Sequence, residues 1–147
     1  MLMDCSNDIS KVLVSEEEIH GAVKRICREM ENDFRDSDKK VLLMGILKGS
    51  VVFMADIMKE FNLRAETDFI KVSSYGSGTT STGIVRLKSE PDRSNLSDYN
   101  VVVIEDILDT GNTLHWLLNH LKTELHANSV KLCTLFNKPD RREKEIH

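Results

Sequence analysis

The sequence predicts an α/β fold with a central, mostly parallel sheet flanked by helices. Short runs of aliphatic residues alternate along the chain with longer stretches of helical apolar spacing. Two of those runs, Val41–Leu47 and Val101–Ile104, lack the alternation of a strand with one wet face, as expected where helices cover both faces of a parallel sheet. Strand and helix signals also follow one another in order, and right-handed crossovers assemble such a series into one sheet.

Each element has its own signal. Ser15 followed by Glu18 is a capping-box pattern, and Ile19, Ala22, Val23, Ile26, Cys27 and Met30 then keep helical spacing, so a first helix is predicted over 16–35. The strand Val41–Leu47 breaks at Lys48-Gly49-Ser50. After that turn Val51, Val52, Ala55, Ile57, Met58 and Phe61 are dense enough for a helix under a sheet. A strand is predicted from Glu66 to Ser73. The segment 75–83, YGSGTTSTG, is too polar and glycine-rich for a core and reads as a flexible hairpin loop near 74–84, with Ile84–Lys88 as the returning arm. Ser89–Tyr99 is read as a connection to the strand at Val101. The helix predicted over 112–125 carries Leu114, Leu117, Leu118 and Leu121, and Val130–Phe136 is the last strand.

Length and composition bound the function. At 147 residues the chain is long enough for one domain that buries roughly two-thirds of its unfolded surface, and no linker-like tract or repeat divides it. With 20 Lys plus Arg against 24 Asp plus Glu, the net charge of −4 argues against nucleic-acid or membrane-surface binding. Cys5, Cys27 and Cys133 are odd in number and lack metal-ligand spacing, which fits reduced thiols in the cytoplasm. The apolar runs are far shorter than the roughly 18 residues of a membrane span.

The chemistry concentrates in Val101–Thr113, VVVIEDILDTGNT. Ligands of parallel sheets collect at the carboxyl ends of strands, where Glu105 and Asp106 fall. The helix that follows offers unpaired amides and a positive dipole end, which Gly111 opens to an anion and the hydroxyls of Thr110 and Thr113 supplement. A sugar phosphate suits this site, its hydroxyls on the acids and its phosphate at the helix. Taken singly, Glu105, Asp106 and Asp109 could be ordinary capping acids. Three acids in five residues repel one another, however, unless a cation or hydroxyl donors meet them. Asp109 stands closest to the cradle and is placed to exchange a proton with a bound nucleophile.

Other positions carry weaker signals. Lys48-Gly49-Ser50 is either an ordinary strand-to-helix turn or a second anion site. Tyr75 in a glycine-rich segment is either part of a closing lid or an exposed hairpin tip. Lys138 before Pro139 is either a snorkelling lysine or a ligand group at the same sheet edge as the acids. His20, His115, His120, His126 and His147 form no catalytic or metal pattern.

Together these motifs resemble the type I phosphoribosyltransferases, and specifically the hypoxanthine and hypoxanthine-guanine members. VVVIEDILDTGNT is similar to the family's signature for 5-phosphoribosyl-1-pyrophosphate, and LKGS at 47–50 to its pyrophosphate loop. SYGSGTTSTG at 74–83 is similar to its flexible catalytic loop, and LFNKP at 135–139 to its base-recognition segment. All four occur in family order over nearly the whole chain.

The resemblance implies transfer of ribose 5-phosphate from that pyrophosphate donor to hypoxanthine or guanine. Glu105 and Asp106 would hold the ribose hydroxyls and magnesium. Asp109, Thr110, Gly111, Asn112 and Thr113 would wrap the 5-phosphate, with Lys48 and Gly49 on pyrophosphate. Asp109 would also act as base or acid at N7 of the purine. Lys138 would recognise the 6-oxo group, and Ser74 and Tyr75 would close over the site. A homodimer or homotetramer is expected. In this family the chain continues past the lysine into a further strand and a hood with a base-stacking aromatic and a second metal acid. This sequence stops at His147, so the domain at 1–147 is expected to be C-terminally incomplete. The rival readings are transfer to xanthine or a pyrimidine, a regulatory nucleotide-sensing homologue, and a fragment that binds the phosphoribosyl donor alone.

Overall fold

In a computed structural model that describes residues 10–75, 84–89 and 91–146, the capping box forms as the sequence predicts. The Glu18 amide donates to Ser15 Oγ at 3.2 Å and the Ser15 amide donates to Glu18 Oε2 at 2.7 Å. Helix α1 follows over Glu16–Phe34, then β1 Lys40–Leu47, α2 Val51–Glu60, β2 Ala65–Tyr75 and β3 Ile84–Ser89. Strand β4 covers Tyr99–Leu108, α3 Asn112–Thr123 and β5 Ser129–Asn137, with a single 3₁₀ turn at Pro139–Arg141. Cys27 and Cys133 are free and buried; Cys5 lies outside the described residues.

The strands form one sheet in the order β3-β2-β1-β4-β5. All neighbours are parallel except β2 and β3, which pair as an antiparallel hairpin. Alternation along β1 divides the core between two layers. Leu42, Met44 and Ile46 pack with Val101, Val103 and the α3 leucines Leu114, Leu117, Leu118 and Leu121. Val41 and Leu43 face the other way, onto Val23, Cys27, Met30, Phe53, Met54 and Ile57 of α1 and α2. Among the described residues no helix is long and apolar enough to cross a membrane.

Several boundaries differ from the sequence reading, and those of β4 and α3 have physical reasons. Strand β4 begins at Tyr99, inside the supposed connection, because buried Asn100 is fully partnered. Its side-chain Nδ2 donates to Ser37 Oγ at 2.8 Å and its Oδ1 accepts from Asn128 Nδ2 at 2.8 Å and Ser129 Oγ at 2.6 Å. The same strand runs on past the two acids to Leu108, since Ile107 and Leu108 still pair with Phe136 and Asn137. Helix α3 stops at Thr123 rather than 125 because the Leu125 carbonyl accepts from the amide of Leu96, a wholly buried anchor in the 91–98 connection. Ser74 and Tyr75, read as loop, have strand backbone, and Ile84 begins the returning arm as the sequence predicts. The rest of that predicted loop, 76–83, lies outside the described residues.

Candidate active site

The order β3-β2-β1-β4-β5 makes the boundary between β1 and β4 a topological switch point. The chain leaves β1 toward β2 and leaves β4 toward β5, which opens a crevice where ligands of such sheets bind. The Lys48-Gly49-Ser50 turn stands at the end of β1 and the acids at the end of β4. Ser74 and Tyr75 close β2, and Lys138 follows β5 directly. Every residue singled out from sequence therefore lies along one edge of the sheet.

Gly49 makes a close approach to Asp106: a Cβ there would stand 2.9 Å from both carboxylate oxygens, so that side chain would have to shift. Ser50, wholly buried, turns its hydroxyl inward to the Ile46 carbonyl at 2.6 Å instead of capping α2. The Leu47–Lys48 peptide bond is cis. Lys48 and Lys138 are solvent-exposed, and the Lys138 amide donates to the Leu108 carbonyl at 2.9 Å, tying the end of β5 to that of β4.

Glu105, Asp109, Thr110, Gly111 and Thr113 line one cleft of about 240 Å³ with Ile107 and Leu114. Asp106 and Asn112 turn elsewhere, Asp106 toward Gly49 and Asn112 to the Glu143 carboxylate at 2.5 Å. The first turn of α3 has no side-chain cap, because its N-cap is Gly111, with a left-handed φ of 84°. Apart from the Asn112 amide, which donates to Thr110 Oγ1 at 3.5 Å, its leading amides remain suited to an anion.

The predicted repulsion between the acids is visible at Glu105. Burial, a hydrogen bond shared with the Asp106 side chain, and the Asp106 charge push its carboxyl up to about 8. The Asp106 amide, which donates to Glu105 Oε1 at 3.2 Å, opposes this only in part. Among the described residues no group of three or more His, Cys, Asp or Glu could hold a metal alone. Two adjacent carboxylates nevertheless fit magnesium, which takes one or two protein carboxylates and completes its shell with water and phosphate oxygens.

Sequence reasoning missed the segment after Lys138. Arg141 Nε lies 3.2 Å from Asp109 Oδ1, and Arg142 Nε donates to the Asp109 carbonyl at 3.0 Å. In the sequence DRREKE reads as a solvated charge run; its only signal was two arginines so soon after the lysine.

The phosphoribosyl transferase domain family matches residues 14–147. The chain is 46% identical to the hypoxanthine-guanine phosphoribosyltransferase of Streptococcus agalactiae over 140 residues, 95% of this chain and 76% of the relative. Among solved structures it is similar to a hypoxanthine phosphoribosyltransferase from Staphylococcus aureus, with TM-score 0.86 and 38% identity over 96% of this chain and 74% of that one. It is also similar to the hypoxanthine phosphoribosyltransferase of Trypanosoma cruzi in a ternary substrates complex, with TM-score 0.84 and 32% identity over 94% of this chain and 77% of that one.

Proposed function

Because the chain belongs to the phosphoribosyl transferase family, on its hypoxanthine-guanine side, we propose that it moves ribose 5-phosphate from 5-phosphoribosyl-1-pyrophosphate to hypoxanthine or guanine. The products are the purine nucleotide, IMP or GMP, and pyrophosphate, a step of purine salvage. The observation that carries this reading is the cleft at the end of β4, where Glu105, which no described cation meets, and Asp109 adjoin the first turn of α3, which has no side-chain cap.

Each residue has a task in this reaction. Glu105 and Asp106 take the ribose hydroxyls, and they would also hold magnesium, which when bound neutralises charge on the pyrophosphate leaving group. The Asp109–Thr113 turn receives the 5-phosphate, while Lys48 and the Gly49 amide meet pyrophosphate. Asp109 exchanges a proton with N7 of the base. Lys138 donates to the 6-oxo oxygen and cannot accept from a 6-amino group, which disfavours adenine. Ser74 and Tyr75 shield the anomeric carbon from water. The free, buried thiols of Cys27 and Cys133 agree with a cytoplasmic setting.

A panel of hypoxanthine, guanine, xanthine, adenine and uracil with the phosphoribosyl donor and magnesium tests the reading. Nucleotide should form from hypoxanthine or guanine and not from adenine. Turnover of uracil or adenine in preference to both 6-oxopurines would reject it.

A further inference from the structure

The turn between β4 and α3 has three consecutive carbonyls, and all find their donors in residues 138–144. Leu108 O accepts from the Lys138 amide at 2.9 Å and from Arg142 Nη2 at 3.4 Å. Asp109 O accepts from Arg142 Nε at 3.0 Å. Thr110 O accepts from the amides of Glu143 at 2.8 Å and Lys144 at 3.1 Å. The Arg142 guanidinium is itself held by Asn137 Oδ1 at 2.5 Å.

In a trans peptide the C=O and N–H point in opposite directions. Three carbonyls drawn toward 138–144 therefore turn the amides of Asp109, Thr110 and Gly111 the other way. None of these three amides donates to a described residue. Gly111 completes the arrangement, because a Cβ there would meet the Lys144 carbonyl at 2.6 Å. The segment thus packs against the back of the turn, whereas the cleft in front is lined by Asp109, Thr110 and Gly111 and by no residue of 138–144.

We propose that Arg142 is a positioning residue for the phosphate monoester of the phosphoribosyl donor. It holds the Leu108 and Asp109 carbonyls from behind, so that the 109–111 amides converge as a concave anion nest. This rests on the functional reading above, which puts the 5-phosphate at this turn. Arginine suits the task because its planar fork spans both carbonyls and Asn137 together, which a single ammonium cannot do. Its charge also polarises the peptide groups it binds, and so strengthens their amides as donors on the far side.

The test is calorimetry of ribose 5-phosphate, and separately of magnesium pyrophosphate, with the unaltered chain, Arg142→Met and Arg142→Lys. Lys131→Met, which removes a half-exposed pair with Asp33 at 2.6 Å, serves as the control for general destabilisation. Arg142→Met should weaken ribose 5-phosphate by about tenfold or more, the scale on which outer-layer partners act at other sites, with pyrophosphate binding unchanged. Arg142→Lys keeps the charge and most of the stem, and should show the same split at smaller amplitude even if the Met variant does not fold. Parallel loss of both ligands, or of neither, overturns the inference alone. Failure of the unaltered chain to bind ribose 5-phosphate would overturn the functional reading of the turn as well.

Discussion

Glu66 and Glu105 are both half-buried glutamates in parallel strands, at opposite ends of the sheet. Glu66, where β2 begins, accepts from Tyr99 Oη at 3.1 and 3.2 Å, pairs with Arg93 and has Lys40 Nζ at 3.7 Å. Lys40 and Arg93 in turn flank the Tyr99 ring, at 5.4 and 5.3 Å from its centroid. Glu105, near the end of β4, has an aspartate beside it and pairs with no cation among the described residues; its carboxyl rises to about 8. The amino edge answers its buried charge within the protein. At the carboxyl edge Arg141 meets Asp109, but Glu105 and Asp106 are left for a ligand to answer, and the raised Glu105 carboxyl marks a candidate binding site.

The sharpest way to break this contrast is Asp109→Asn. If Asp109 serves the proton at the base, the chemical step should slow by about 10²-fold or more, the typical worth of general acid-base catalysis. Affinity for the phosphoribosyl donor should stay nearly intact. Single-turnover rates and donor titration on the same variant separate the two, and equal losses would mark Asp109 as structural.

Next in size is the pH dependence of stability. The folded-state carboxyl of Glu105 titrates near 8 against an ordinary 4.5. Between those values the folded chain keeps a proton that the unfolded chain has released. Its contribution is therefore fully present below about 4.5 and is lost as the pH rises toward about 8. Discounted for the water that still reaches the group, the change is on the order of 2 kcal/mol. Glu105→Gln should flatten urea midpoints across this window. A slope as steep as in the unaltered chain would place the titration elsewhere.

The same contrast explains what the sequence disclosed. The acids, the Gly111 turn and the Lys48-Gly49 turn were legible because the groups each would offer a ligand lie within a few residues of one another. Sheet order was legible in kind, since strand-helix alternation implies parallel crossovers. Tyr99 and Asn100 hid the start of β4 because their partners, Glu66, Ser37, Asn128 and Ser129, are distant in sequence. Arg142 was hidden for the same reason: the Leu108 and Asp109 carbonyls lie 34 and 33 residues away, and no side-chain pattern announces a backbone acceptor.

Glu66→Ala probes the amino edge in return. It strips Tyr99, Arg93 and Lys40 of their common acceptor, at a cost of about 1–2 kcal/mol given their partial exposure. Denaturant unfolding should register that loss, while ribose 5-phosphate binding stays unchanged. A fall in ligand affinity without loss of stability would erase the division between the two edges.

The smallest effect is expected at the Lys39–Asp98 pair, which also lies at the amino edge and separates exposed from half-buried charge there. Its Nζ–Oδ1 distance is 3.3 Å, but the Asp98 side chain is 78% exposed. Holding a long lysine against so wet a partner costs side-chain entropy that nearly offsets the Coulomb gain, so the coupling should stay below about 1 kcal/mol. A double-mutant cycle of Lys39→Met and Asp98→Asn measures it, free of what each side chain does alone. Repeated in about 1 M salt, where the screening length falls to about 3 Å, the coupling should nearly vanish. A larger coupling that persists in salt would move the stability of this edge from the Tyr99, Glu66 and Arg93 cluster to its solvated charges.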